Sequence, residues 1–458
     1  MQKGNDNLLT SGSLIRGLTA LAAPMFVGVV LQNAQTLIDL FWVGRLGSEA
    51  VAALAVSGTV LFLMHPVVMG MATGTVALVS RAVGAGRPED AADVAAQSLV
   101  LAVVFGLLTG AAGWFATDFL CRLLGASPEV VRLAGSFLRI NFAGCFTVYV
   151  MFVASSVLQG AGNTVVPMFA MLLANAVNMI LDPILIFGLL GCPRLEVKGA
   201  ALATVTSQAV AMLVLLRLLH RGAGGVRLTL KHCRWMPALA WQILRIGVPS
   251  SGQILTRSLM TMVLMRIVAV CGTAAVAAYG IGMRFHMILL LPAFALGNAA
   301  ATMVGQNLGA RQPRRAEVAA WLAAAVDVGI MVAGTVAMLV FAPAMIRAFD
   351  PSPAVVAEGT RYLRTVSPFY VFTGLAIVFS RALNGAGRTV ATFVFTVICL
   401  WGLQVPLAVW LTTRMTPPTL GIWWAIGAAS VLHGLLTTAW FMTGRWKRDA
   451  GADAPPRA

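Results

Sequence analysis

Long apolar runs separated by short polar links follow one another from residue 14 to residue 443 of this chain. A helix needs about 20 apolar residues to cross a hydrocarbon core, and about twelve stretches reach that length. In the first half they are 14–43, 50–80, 91–116, 132–158, 165–190 and 198–219. In the second half they are 244–269, 275–305, 316–342, 361–383, 389–412 and 419–443.

The second six echo the first at a spacing of about 225 residues, the signature of an internal repeat. Pro24 matches Pro249, Gly47 matches Gly272, and Ala50, Val51, Ala52 and Ala53 return as Ala275, Val276, Ala277 and Ala278. Further along, Gly84 and Ala85 match Gly309 and Ala310, and Pro88 matches Pro313. Ser127 and Pro128 match Ser352 and Pro353, and Gly160, Ala161 and Gly162 match Gly385, Ala386 and Gly387. An even number of spans returns the chain to its starting side, so both copies insert the same way up. The expected fold is an all-α integral membrane protein with twelve transmembrane helices. They form two parallel six-helix lobes related by a pseudo-two-fold axis along the membrane normal, a plan recurrent among transporters. The expected divisions are an N-terminal lobe over 1–219, a basic cytoplasmic linker over 220–243, and a C-terminal lobe over 244–458 that ends in a short cytoplasmic tail. The long, glycine-containing linker reads as a hinge or tether.

Composition agrees with this placement: 59% of the residues are hydrophobic, 10% are charged, and the mean hydropathy is +0.87. A soluble globule carries roughly a quarter charged residues. The formal charge of +16 raises the question of nucleic acid. Its distribution answers it, because Lys and Arg gather in alternate loops as the positive-inside rule requires. Arg217, Arg221, Arg227, Lys231, Arg234 and Arg245 crowd the link between the halves. They read as an orientation signal that also touches anionic membrane lipid, with both termini cytoplasmic and no nucleic-acid role. Leu14 onward reads as a first span and not as a removed signal. The cysteines form no CxxC pair and no metal-ligand spacing, so they read as packing residues, and no cofactor is expected.

Charge within a span is expensive, which makes each intramembrane ionisable residue a functional candidate. In LQNAQTLIDLFWVG, the residues Gln32, Gln35 or Thr36, and Asp39 share one helix face, and in NAVNMILDPILIFG so do Asn175, Asn178 and Asp182. The two helices run in the same direction, so both acids fall in the outer half of the membrane. If their polar faces meet, Asp39, Asn178 and Asp182 form one small site for a proton or a sodium ion. The alternative is a pair of carboxylates satisfied by amides and bracing helices. Pro183 frees the Met179 carbonyl and loosens the ladder there. The repeat is an internal control: Asp39 corresponds to Leu264 and Asp182 to Leu407, so the acids were not duplicated with the scaffold.

The second half is biased the other way. Arg257, which corresponds to Gln32, falls near mid-membrane and is expected to face the cavity, either neutralising the acids or contacting substrate. Arg284 is a further cavity candidate, whereas Arg266 and Arg381 read as snorkelling residues at segment ends and His286 as a core histidine. Asp327 has no polar partner at helical spacing.

The stretches LAAPMFVGVVLQNAQTLIDLFWVGRLGSEAVAAL, VGAGRP, LQGAGNT, LDPILIFG and GAALATVTSQ resemble the multidrug and toxic compound extrusion (MATE) family. AAYGIGMR and MVGQNLGARQP resemble its DinF-like branch most. The resemblance covers essentially the whole chain. It implies a monomeric twelve-helix antiporter of a prokaryotic inner membrane, expelling small amphipathic, often cationic, drugs or toxic compounds in exchange for protons or sodium ions. It further implies a cation site at Asp39, Asn178 and Asp182, joined by Thr204. The NorM branch carries an acid on helix seven, where this chain has Gln253 and Arg257, which makes proton coupling through the first lobe the expected mode. The alternatives are a flippase or exporter of lipid-linked or anionic amphiphiles, with arginines receiving phosphate, and an intramembrane enzyme. No HExxH or GxSxG motif supports the enzyme.

Overall fold

The computed structural model describes residues 9–447, apart from the side chains at 230 and 233. Its first half holds α1 (Leu14–Val43), α2 (Ser48–Phe62), α3 (His65–Gly84), α4 (Pro88–Leu123), α5 (Pro128–Ala143), α6 (Cys145–Gly160), α7 (Val165–Phe187) and α8 (Val197–His220). The second half holds α9 (Pro237–Ala269), α10 (Thr273–Gly309), α11 (Pro313–Arg347), α12 (Pro353–Val366), α13 (Tyr370–Gly385), α14 (Thr389–Val397), α15 (Val405–Thr412) and α16 (Pro418–Met442).

These helices make the twelve spans among the described residues. Four of the spans are made of two helices each. α2 and α3 are parted at Leu63 and Met64, α5 and α6 bend by 50° at Gly144, a 3-10 turn, Ser367–Phe369, joins α12 to α13, and a π-helical turn, Ile398–Gln404, joins α14 to α15. Pro406 stands just after that turn and has no amide proton to donate, so the ladder must re-register there. α9 is long enough to span at 33 residues but less apolar than its neighbours, because Arg245, Arg257 and Arg266 lie within it.

The repeat extends to the backbone. Gly162 and Gly387 both close their helices with positive φ, at 86° and 74°. In each turn the next residue donates five positions back, Asn163 to Leu158 and Arg388 to Leu383, both at 2.8 Å. Gly47 and Gly272 are matched likewise, with φ of 113° and 105°. One correspondence departs: Gly86 (φ 68°) is answered by Arg311 at φ 58°, a left-handed conformation that costs a residue with a Cβ about 1–2 kcal/mol.

The chain divides into two compact units, residues 23–251 and residues 9–22 with 252–447. The first turns of α1 thus belong with the second unit and those of α9 with the first. In the second unit Asn307 donates to the Leu9 carbonyl at 3.2 Å, and Arg315 donates to that of Gly12. In the first unit Gly70 of α3 meets the Gly247 backbone of α9, where a Cβ on Gly70 would stand 2.5 Å from the Gly247 carbonyl oxygen. The basic linker lies along α4: Lys231 and His232 each reach Glu89 at 3.0 Å, the Met236 amide donates to Gln97 at 3.1 Å, and Gln97 donates to the Arg234 carbonyl.

Candidate functional site

In the first unit α1 and α7 present the acids. α7 is among the most apolar helices of the chain, yet Asn175, Asn178 and Asp182 on one face are buried, Asn178 and Asp182 completely. Met179 and Ile180, on its other side, are exposed. The polar stripe therefore points into the unit, as its spacing predicts. Asn175 ties the two helices together by donating from Nδ2 to the Leu31 carbonyl of α1 at 2.7 Å. Eight residues further along α1, the Asp39 carboxyl comes alongside the Asp182 carboxyl and the Asn178 amide. Asn178 Nδ2 donates to Asp182 Oδ1 at 3.4 Å, a long bond across one helical turn.

The inventory of this group is lopsided. Asp39 Oδ1, Asn178 Oδ1, Asp182 Oδ2 and Asn175 Oδ1 are all buried without a hydrogen-bond partner among the described residues. A buried acceptor without a donor costs about 1–3 kcal/mol, and more when charged. Four such oxygens on two adjoining helices are what a small cation would relieve. Thr204 is buried on α8, which packs along α7, and its hydroxyl donates to the Ala200 carbonyl of its own helix at 3.0 Å. Only its oxygen is thus left to face a cation. Gln32 and Gln35 are half-buried on α1.

In the second unit the structure separates the two arginine candidates. Arg284 is exposed, with its guanidinium 5.9 Å from the centroid of Phe349. Arg257 is half-buried and interacts electrostatically with His286, Arg381 and His433. Arg381 stands four residues before the end of α13, as expected, but turns inward instead of snorkelling. Its stem packs on Gly297 of α10, where an added Cβ would stand 3.0 Å from the arginine Cγ, and its guanidinium lies 5.7 Å from the Phe294 centroid. Span arithmetic locates a residue along the axis but not on a face, so the glycine that seats Arg381 was the only signal available. His433 was also missed. It lies 3.4 Å from Thr396 within a buried network in which Gln253 donates to Thr396 at 3.0 Å and Thr392 donates to Asn384 at 2.8 Å.

The profile of the MatE family matches residues 24–184 and again residues 249–410, starting at Pro24 and at its repeat partner Pro249. The chain belongs to the MATE family. It is therefore a multi-pass membrane transporter of a multidrug-efflux family and not an enzyme. The probable multidrug resistance protein YpnP of Bacillus subtilis (strain 168) is 28% identical over 449 residues, covering 96% of this chain and 97% of that one. A FAD transporter of Shewanella oneidensis is 29% identical over 410 residues, covering 87% of this chain and 88% of its own. A solved MOP superfamily transporter from Pyrococcus furiosus, whose reverse polarity of binding pocket suggests a different function, is 28% identical. It superposes with a TM-score of 0.88 over 97% of this MATE chain and 98% of its own.

Proposed function

We propose that this chain is a secondary antiporter that exports amphipathic compounds, expected to be cationic, in exchange for protons or sodium ions by alternating access. The observation that carries the coupling half is the set of unpartnered acceptor oxygens on Asp39, Asn178 and Asp182. Such a set binds a cation in the site and gives one up when the surroundings supply other donors. Of the two ions, the proton makes the smaller demand, since it needs one acceptor oxygen, whereas sodium needs several at once, among which the Thr204 oxygen, its hydrogen committed to Ala200, would count. The membrane potential adds about 2.3 kcal/mol per charge per 100 mV to such an exchange. The proposed setting is a prokaryotic inner membrane with both termini cytoplasmic and the protein a monomer.

The second reading, an exporter or flippase of lipid-linked or anionic amphiphiles, is favoured by the cationic interior of the second unit. The FAD transporter and the reverse-polarity structure among the relatives point the same way. Coupling in the first unit does not depend on which substrate charge is right. The test of the antiport reading is purified protein in proteoliposomes loaded with a fluorescent cation, under an imposed pH gradient or an imposed sodium gradient. Efflux that follows one gradient and not the other names the ion. Transport indifferent to both gradients sinks the antiport reading.

A further inference from the structure

The second unit contains two guanidinium groups that none of its acids neutralises. Its acidic residues between 252 and 447 are Glu317, Asp327, Asp350 and Glu358. Glu317 binds Lys447 at 2.6 Å, Glu358 takes Arg361 and the Trp423 indole, and Asp350 is bonded to Ser352. Asp327 is packed against Gly374, where an added Cβ would stand 2.1 Å from its Oδ2. Neither the Arg257 guanidinium nor that of Arg381 hydrogen-bonds or ion-pairs with anything among the described residues.

Both arginines are aimed inward. Arg257 shares its stripe on α9 with Gln253, Met260, Leu264 and Val268, all buried, while Leu255, Leu259 and Met262 on the other side are exposed. Arg381 lies between buried neighbours on α13, Ser380 and Ala382. The site is built around them. Gln253, one turn before Arg257, holds α9 to α14 through Thr396, and the Trp401 indole of the π-helical turn donates to the Thr256 carbonyl at 3.4 Å. Gly297 leaves the room that the Arg381 stem fills. His286 contributes a buried Nδ1 with no partner among the described residues. None of this is duplicated: Arg257, Arg381 and His433 correspond to Gln32, Ser156 and Gln208 in the first repeat.

Two half-buried guanidiniums with no counter-ion are costly to hold in a membrane interior, and a mobile anion would offset that cost. We propose that Arg257 and Arg381 form an anion-binding subsite inside the second unit that takes the phosphate, or a similar oxyanion, of an amphipathic substrate. The planar fork of each side chain suits such a group, which can accept two parallel hydrogen bonds from one guanidinium. The proposal deepens the second reading above by naming the group recognised and the residues that recognise it.

The test is equilibrium binding of flavin mononucleotide and of riboflavin, which differs from it by the phosphate alone, to the purified full-length protein. Binding needs no gradient, so its result stands whatever becomes of ion coupling at Asp39. The parent should bind the phosphorylated flavin at least about tenfold more tightly, the size of one charge-assisted hydrogen bond. Arg257→Gln and Arg381→Gln should each remove that preference and leave riboflavin affinity unchanged, which also shows that the variants fold. Arg257→Lys, with the charge but not the fork, should restore part of it. A second arm adds phosphatidic acid in nanodiscs: displacement of the flavin nucleotide assigns the same arginines to a lipid headgroup. Equal affinity for the two flavins, binding of neither, or Gln variants that keep the preference would overturn the proposal.

Discussion

Replacing Asp39 with Asn tests the first-unit site most directly, because it adds what that site lacks. Asp39 lies alongside Asp182 and Asn178, and Asp39 Oδ1, Asn178 Oδ1 and Asp182 Oδ2 are buried without donors among the described residues. An asparagine keeps the shape of the side chain, removes the negative charge and brings an amide with two hydrogens. Directed at Asp182, one such hydrogen is worth about 1.5–3 kcal/mol, the range for a bond to a charged group, and a factor of about 10–150 in an equilibrium constant. The variant should therefore behave as though a cation were permanently bound. Two measurements read the same energy. The unfolding temperature of Asp39→Asn in detergent should rise above that of the parent, whereas Asp39→Ala, which supplies no donor, should not show the rise. In proteoliposomes a pH difference of one unit, about 1.4 kcal/mol per proton, should drive accumulation in the parent. In the Asn variant that driven component should fall at least about tenfold, the lower bound set by the bond energy. An Asn variant that is less stable than the parent, or that follows the gradient as the parent does, refutes the argument.

Three further outcomes follow from particular contacts. Arg311→Gly should stabilise the protein by up to about 1 kcal/mol, measured by denaturation, because it relieves a left-handed conformation that its counterpart Gly86 adopts freely. Gly374→Ala should destabilise it by about 1–3 kcal/mol, because the new methyl meets Asp327 at 2.1 Å and Met331 at 3.0 Å; adding Asp327→Ala should recover most of the loss. Glu89→Gln should raise hydrogen exchange in residues 229–236, since Glu89 is the partner of both Lys231 and His232. It should change overall stability by less than about 1 kcal/mol, as the Lys231 pair is exposed.

The span pattern was legible because hydropathy is a sum over many residues, and the expected stretch 14–43 has the bounds of α1. The breaks within spans were less so: Pro66 and Pro406 stand beside two of them, but the apolar run passes through Gly144 with no proline near it. At the Gly144 bend a Cβ would stand 2.3 Å from Val205, a close approach that only the folded chain shows. The polar stripe on α7 was legible because helical spacing alone orders Asn175, Asn178 and Asp182. Its partners were not all legible: the bond from Asn175 to a backbone carbonyl of α1 leaves no trace in residue identity. The orientation of Arg381 was not legible for a related reason, since it depends on Gly297, more than eighty positions away.

The repeat also explains why each set of charges can remain unpaired. A duplicated scaffold would carry duplicated acids and duplicated arginines into both halves, where opposite charges within one unit could meet, form buried ion pairs and be unavailable to anything mobile. The chain shows the opposite distribution. Asp39 and Asp182 are answered by Leu264 and Leu407, and Arg257 and Arg381 by Gln32 and Ser156, so none of these four charges was duplicated with the scaffold. A buried charge left without a fixed partner has its cost offset when a mobile ion or substrate of opposite sign arrives. A structural brace would be expected to carry its counter-ion with it. The unpartnered oxygens of the first unit and the unneutralised guanidiniums of the second are thus alike, and on the proposed reading the transported species supplies the missing binding free energy in each.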